Sequence, residues 1–119
     1  MVETSVSPQT EDRPKEIFIF ARFHAREGQE NTLREAIQEE IQAARSDIGC
    51  LAVNAYAAVR NRRLFFIHSR WVDSAAFDTH AETPHTVHFV QLAETLIDHP
   101  LDVNRAWVLD PPARGGGER

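Results

Sequence analysis

The chain has 119 residues, 42% of them hydrophobic and 26% charged, with a formal net charge of −5. These values describe one globular domain and exclude the broad basic footprint of a nucleic-acid binder. A single cysteine, Cys50, excludes an internal disulfide framework and a cysteine zinc cage, and a reducing, cytoplasmic setting fits.

The opening residues, MVETSVSPQTEDRPKE, lack the apolar core of a secretory leader or anchor. No run approaches the roughly 20 apolar residues of a spanning helix, so no membrane partner is expected. Residues 1–15 are polar with two prolines, and residues 110–119 (DPPARGGGER) hold two prolines and three glycines. Both read as flexible tails around one domain at 16–109.

Residues 17–23 (IFIFARF) read as a strand from their β-branched and aromatic content. Gly28 ends the connection, and Thr32-Leu33-Arg34-Glu35 matches a capping box. Leu33, Ala36, Ile37, Glu40, Ile41 and Ala44 recur at helical spacing, which predicts a helix over 32–46 that Gly49 stops. Residues 50–59 and 64–72 predict an antiparallel hairpin turned at 60–63. Asp73 or Ser74 then caps a short helix at 75–80.

Thr83 caps a further helix with Pro84 in its first position, where proline is tolerated. Phe89, Leu92, Ala93, Leu96 and Ile97 give that helix an apolar face, and Pro100 closes it. Residues 101–109 (LDVNRAWVL) alternate as a last strand. The order is β-α-β-β-α-β, the ferredoxin-like split unit of the α+β class. The first and third strands are apolar on both faces, with Phe18 and Phe20 opposite Ile17 and Ile19, and Leu64 and Phe66 opposite Phe65 and Trp71. Helices can cover only one of those faces, so a homodimer packed sheet to sheet is expected, with His68 at its interface.

The strand carrying Ala21, the Gly28-Gln29 pair, the Gly49-Cys50 entry, and Trp71 with His80 and Thr83-Pro84-His85 together resemble the antibiotic biosynthesis monooxygenase superfamily. Within it the pattern is most similar to small quinol monooxygenases, and the resemblance covers 17–109. It implies a dimeric α+β barrel whose last strand reaches toward the partner. It also implies, as in several members, oxygenation of a phenol, quinol or anthrone with no flavin, heme or metal. Relatives also include heme-degrading enzymes, an isomerase and proteins without known activity. Two positions depart from the pattern. Ser69 stands where many relatives carry Glu, and the first strand offers Arg22 and His24 in place of the Asn of the heme-degrading branch.

Cofactor-free oxygenation of a quinol-like ring needs a base near neutral pKa, donors for the phenolate, and an apolar pocket. Three of the six histidines fall within 80–89 (HAETPHTVHF). His80, at the break between two helical segments, and His85, in a first turn where the helix dipole lowers an imidazole's pKa, are the expected proton handlers. Trp71, Phe77 and Phe89 are the expected aromatic wall, with Tyr56 or Asn54 donating to the substrate. His88 reads as pocket rim, and Cys50 as a small buried residue. His85 and His88 could share an ion and His80 could join them, but no His-Glu-x-x-His or similar spacing and no ordered supporting partners are evident, so no native metal is expected. The expected function is a cofactor-independent monooxygenase acting on a hydrophobic aromatic molecule and O2. The alternatives are a non-catalytic dimeric binder of a small molecule, or a heme-degrading or isomerase relative.

Overall fold

A computed structural model describes residues 15–110. The strands are β1 (Ile17–His24), β2 (Cys50–Ala57), β3 (Leu64–Trp71) and β4 (Asp102–Ala106). The helices are α1 (Glu30–Ala44), α2 (Ser74–Ala81) and α3 (Pro84–Leu96). The strands form one antiparallel sheet in the order β2-β3-β1-β4. This is the expected ferredoxin-like α+β arrangement with α2 added before α3. The expected tails lie almost wholly outside the described residues.

Strand register decides which side chains face the helices. Ile17, Ile19, Ala21 and Phe23 are buried on one face of β1 and pair with Trp71, Ser69, Ile67 and Phe65 of β3. A side-chain period of two turns Phe18, Phe20, Leu64, Phe66 and His68 to the other face, together with Asn54 and Tyr56 of β2. The helices leave that second face open, and Phe20 and Tyr56 are each about half exposed there.

Helix α1 buries Leu33, Ala36, Ile37, Glu40, Ile41 and Ala44, the stripe read from the sequence. Its start differs from expectation. The cap is Gln29, with no side-chain hydrogen bond, and Thr32 lies inside the first turn, so the capping box does not form. The left-handed Gly28 (φ 88°) turns the chain early, and the Leu33 amide already donates to the Gln29 carbonyl at 2.9 Å. The later caps hold as read. Asp73 accepts from the Ala76 amide, and Thr83 accepts from the Thr86 amide ahead of a helix with Pro84 at its start. Strand β4 is shorter than the alternation suggested. It pairs with β1 only from Asp102 to Ala106, and Trp107, Val108 and Leu109 follow it as exposed residues.

The larger core cluster lies between α1, α3 and the sheet. A smaller one unites Ile17, Ile19 and Trp71 beneath Phe77 of α2. Gly49 (φ 86°) lets the α1–β2 loop press on α2: a Cβ there would stand 2.5 Å from the Ala76 Cβ. That close approach brings the loop carrying Asp47 beside His80.

Candidate active site

Where the two clusters meet, a cavity of about 90 Å³ lies between the sheet and the helices. Trp71, Phe77 and Phe89 line it, with His80, Glu40 and Thr86 supplying its polar corner. Trp71 is 1% exposed, and its indole N–H donates to the Ser69 hydroxyl at 2.9 Å. The His80 ring lies over Trp71 with centroids 4.6 Å apart and is 5.6 Å from Phe77. The expected aromatic wall and the first expected proton handler therefore share one cavity.

His80 is fixed by a carboxylate from another element. Its Nδ1 stands 2.6 Å from Asp47 Oδ2. A carboxylate only accepts, so Nδ1 carries the hydrogen, and Nε2 keeps the lone pair in the neutral ring. That Nε2 makes only longer approaches, 3.5 Å to Thr86 Oγ1 and 3.8 Å to Glu40 Oε2.

His85 sits behind this corner. Its Nδ1 is 2.9 Å from Glu40 Oε1 and its Nε2 is 3.0 Å from Asp47 Oδ2. Two carboxylates facing two ring nitrogens select the doubly protonated imidazolium. Burial pulls its pKa down, but the hydrogen bonds to Glu40 and Asp47 outweigh burial and hold the pKa above the ordinary histidine value. The expectation of a dipole-lowered, neutral His85 base is thus corrected. The carboxylates supplied by α1 and the following loop override the helix terminus. For Asp47, burial raises the pKa, while hydrogen bonds from His80 and His85 prevail and lower it. Buried Glu40 is satisfied by His85 and by the Thr86 hydroxyl, which donates to Oε2 at 2.8 Å.

Asn54 and Tyr56 do not join the cavity. The register of β2 against His68 and Phe66 puts both on the opposite sheet face. They lie one and three positions along from the inward Val53, odd offsets that turn them to the other face, so the pleat excludes them as donors to a ligand beside His80. His88 is exposed on the rim of a groove between α1 and α3. Cys50 is half buried, and burial followed by the Asp47 charge raises its pKa, which keeps the thiol protonated.

Glu40, Asp47, Thr86 and Ser69 were assigned no role from the sequence. Glu40 carried a signal, because a glutamate within an apolar helical stripe is buried and must find partners. Asp47 carried none, since its place depends on the turn at Gly49.

Residues 16–92 match the model of the antibiotic biosynthesis monooxygenase family, and the chain belongs to that family. Among solved structures, Rv0793 from Mycobacterium tuberculosis is similar with a TM-score of 0.77 at 22% identity, over 82% of this chain and 99% of that one. PA3566 from Pseudomonas aeruginosa gives a TM-score of 0.75 at 22% identity, over 81% and 96%. A variant of SnoaB, a cofactor-independent oxygenase from Streptomyces nogalater, gives 0.73 at 11% identity, over 82% and 96%. At such identities the likeness establishes the fold alone. No curated protein matches the chain. No helix among the described residues is long and apolar enough to cross a membrane.

Proposed function

We propose that the protein is a cofactor-independent monooxygenase that oxidises a small phenol or hydroquinone with O2. The observation that carries this reading is His80, clamped at Nδ1 by Asp47 and tilted against Trp71 in the wall of an apolar cavity. His80 Nε2 takes the phenolic proton, and Asp47 stabilises the resulting imidazolium. The phenolate passes one electron to O2, and the two radicals join at a ring carbon bearing hydrogen. The peroxide then loses water to leave a quinone. One oxygen atom enters the ring and the other leaves as water, so the substrate itself supplies every electron. Burial of the site excludes solvent from the anion and its radicals.

Cavity size narrows the substrate class. A benzene ring occupies an apolar cavity on the order of 150 Å³, against about 90 Å³ here. A single ring requires modest widening, whereas a three-ring anthrone requires the helices to part. Val103, on the edge strand β4, lines the cavity and is nearly half exposed, which marks the side on which widening costs least. The active assembly we propose is a homodimer. A second copy covers the open face bearing Phe18, Phe20, Phe66 and Tyr56.

The test is oxygen uptake by chelator-treated protein with a panel of substituted phenols and hydroquinones. The expected result is turnover above autoxidation that falls about 10²- to 10⁴-fold in His80→Ala, the range for loss of a general base. Equal rates for wild type, His80→Ala and no protein would overturn the reading. An unchanged aromatic compound retained on the purified protein would then favour a binding protein.

A further inference from the structure

We propose that Asp47, His80 and His85 form a binding site for one divalent transition-metal ion, with zinc as the reference case. Three donor atoms converge: His80 Nδ1 and His85 Nε2 stand 2.6 and 3.0 Å from the same oxygen, Asp47 Oδ2. A tetrahedral ion with bonds of 2.0–2.1 Å separates neighbouring ligand atoms by roughly 3.3 Å. The three donor atoms lie within 4.8 Å of one another, and the two short approaches open by about 0.7 and 0.3 Å to reach that spacing. Binding displaces the hydrogens on His80 Nδ1 and His85 Nε2 to solvent. The donor set, two imidazoles and a carboxylate, suits zinc, cobalt and nickel better than calcium or magnesium.

The supporting shell is already in place. His85 presents its other nitrogen, Nδ1, to Glu40 Oε1 at 2.9 Å, and the Thr86 hydroxyl holds the second oxygen of Glu40 at 2.8 Å. A carboxylate behind a metal-binding histidine fixes its tautomer and raises its basicity. His80 is steadied by Trp71 at 4.6 Å. An ion has a way in, because the groove between α1 and α3 is lined by Glu39, Glu40, His85 and His88 and borders the cluster. Its acidic lining attracts a cation.

A second grouping of metal-ligand type, His24 with Asp98 and His99, lies at the far end of β1. It is a weaker candidate. Arg63 places a guanidinium nitrogen 2.7 Å from Asp98 Oδ2, and the His99 side chain is 66% exposed. It serves as the internal control.

On the oxygenase reading, a metal ion at this site has one functional consequence. A neutral imidazole metallated at Nδ1 carries its hydrogen on Nε2. His80 then presents a donor to the cavity where the reaction needs a base. Metal and proton transfer exclude each other, and zinc inhibits.

The test is titration of the chelator-stripped full chain with Co²⁺, followed by visible absorption, and with Zn²⁺ by calorimetry. The expected result is one equivalent per chain with the intense band of four-coordinate cobalt. Asp47→Asn and His85→Gln should abolish that equivalent, and Glu40→Gln should weaken it roughly 10- to 100-fold. The His24→Ala/His99→Ala double variant should keep it. Cobalt-induced broadening of the His80 and His85 ring resonances in the wild type reports the same site without any variant. No band at millimolar cobalt, or an equivalent that survives at Asp47→Asn and vanishes in the double variant, would overturn the proposal. Metal binding without oxygenase activity sustains this site and counts only against the proposed reaction. A zinc-loaded protein that still turns over at full rate overturns the assignment of His80 as a ligand.

Discussion

His80 Nδ1 and Asp47 Oδ2 lie 2.6 Å apart across 33 residues of sequence, joining the α2 helix to the loop that leaves α1. The contact fixes the tautomer of the ring that faces the cavity. The carboxylates of this corner, Asp47 and Glu40, come from α1 and the loop after it.

Asp47→Asn tests that division of labour. The amide keeps the shape and removes the carboxylate charge beside His80 Nδ1. Turnover should fall while KM stays within about twofold, because the role proposed for Asp47 is to stabilise an imidazolium formed during the reaction, and it does not line the cavity. The measurement is kcat and KM for the best phenol of the panel, beside a urea unfolding curve. A rise in KM with kcat unchanged would place Asp47 in ligand binding instead.

Ser69 has a separate duty. Its hydroxyl accepts the indole hydrogen of Trp71, and both residues are almost wholly buried. Ser69→Ala leaves a buried donor without its partner, at a cost of about 1–3 kcal/mol. Trp71→Phe in the Ser69→Ala background removes the orphaned N–H, so the two changes should not add. A double-mutant cycle by urea denaturation reads the coupling. Strict additivity would show that the bond contributes nothing.

Most of the fold was legible because its signals are local. β-branched and aromatic content marked β1, the stripe from Leu33 to Ala44 marked α1, and Thr83-Pro84 marked the start of α3. His80, Trp71, Phe77 and Phe89 were named together on the family resemblance and the chemistry expected of it, and all four line one cavity. Asp47 was not legible, since its position follows from the left-handed turn at Gly49 and the packing of that turn on Ala76. The upward shift of the His85 pKa was not legible either, because its two carboxylates come from residues about 40 positions away. Asn54 and Tyr56 were misplaced for another reason. A strand with small residues on both sides, as in β2, does not announce which face is inward until its register with β3 is known.

Gly49 and Gly28 offer a matched pair. Both have positive φ, 86° and 88°. An alanine at either position incurs the left-handed penalty of roughly 1–2 kcal/mol. Nothing surrounds Gly28 within 4 Å, whereas a Cβ at Gly49 meets Ala76 Cβ at 2.5 Å and Val72 Cγ2 at 3.1 Å. Gly49→Ala should therefore destabilise by clearly more than Gly28→Ala and also slow turnover, because it displaces the Asp47 loop. Chemical denaturation of the two variants decides it, and equal losses would remove the packing argument.

Asp98 sets an acid limb of stability. Hydrogen bonds from His24, and then from His99, lower its pKa to about 2 against a slight opposing effect of burial. A carboxyl with a depressed folded pKa stabilises above its unfolded value near 3.9, and that stabilisation is lost as pH falls toward the folded value. Asp98→Asn should be less stable than wild type near pH 5, and the two curves should converge between about pH 4 and pH 2. Unfolding midpoints across that range provide the check. A constant offset down to pH 2 would mean that the variant acts by packing instead of charge.

The open sheet face makes the last expectation. Phe20 is 50% exposed and Tyr56 51%, and His68 packs against Phe20 with ring centroids 4.9 Å apart. An apolar, aromatic face of this kind on an otherwise acidic chain is what a second copy would cover, and stable interfaces bury about 1,600 Å² in total. Phe20→Glu places a charge in the middle of that face, where desolvation opposes association. Sedimentation should give a wild-type mass of twice 13.5 kDa and a monomer for Phe20→Glu. The circular dichroism of the variant should be unchanged, because Phe20 points away from the core. A wild-type monomer at micromolar concentration would leave the open face without a second copy. A dimeric Phe20→Glu would move the interface elsewhere, for instance to the exposed Trp107, Val108 and Leu109 beyond β4.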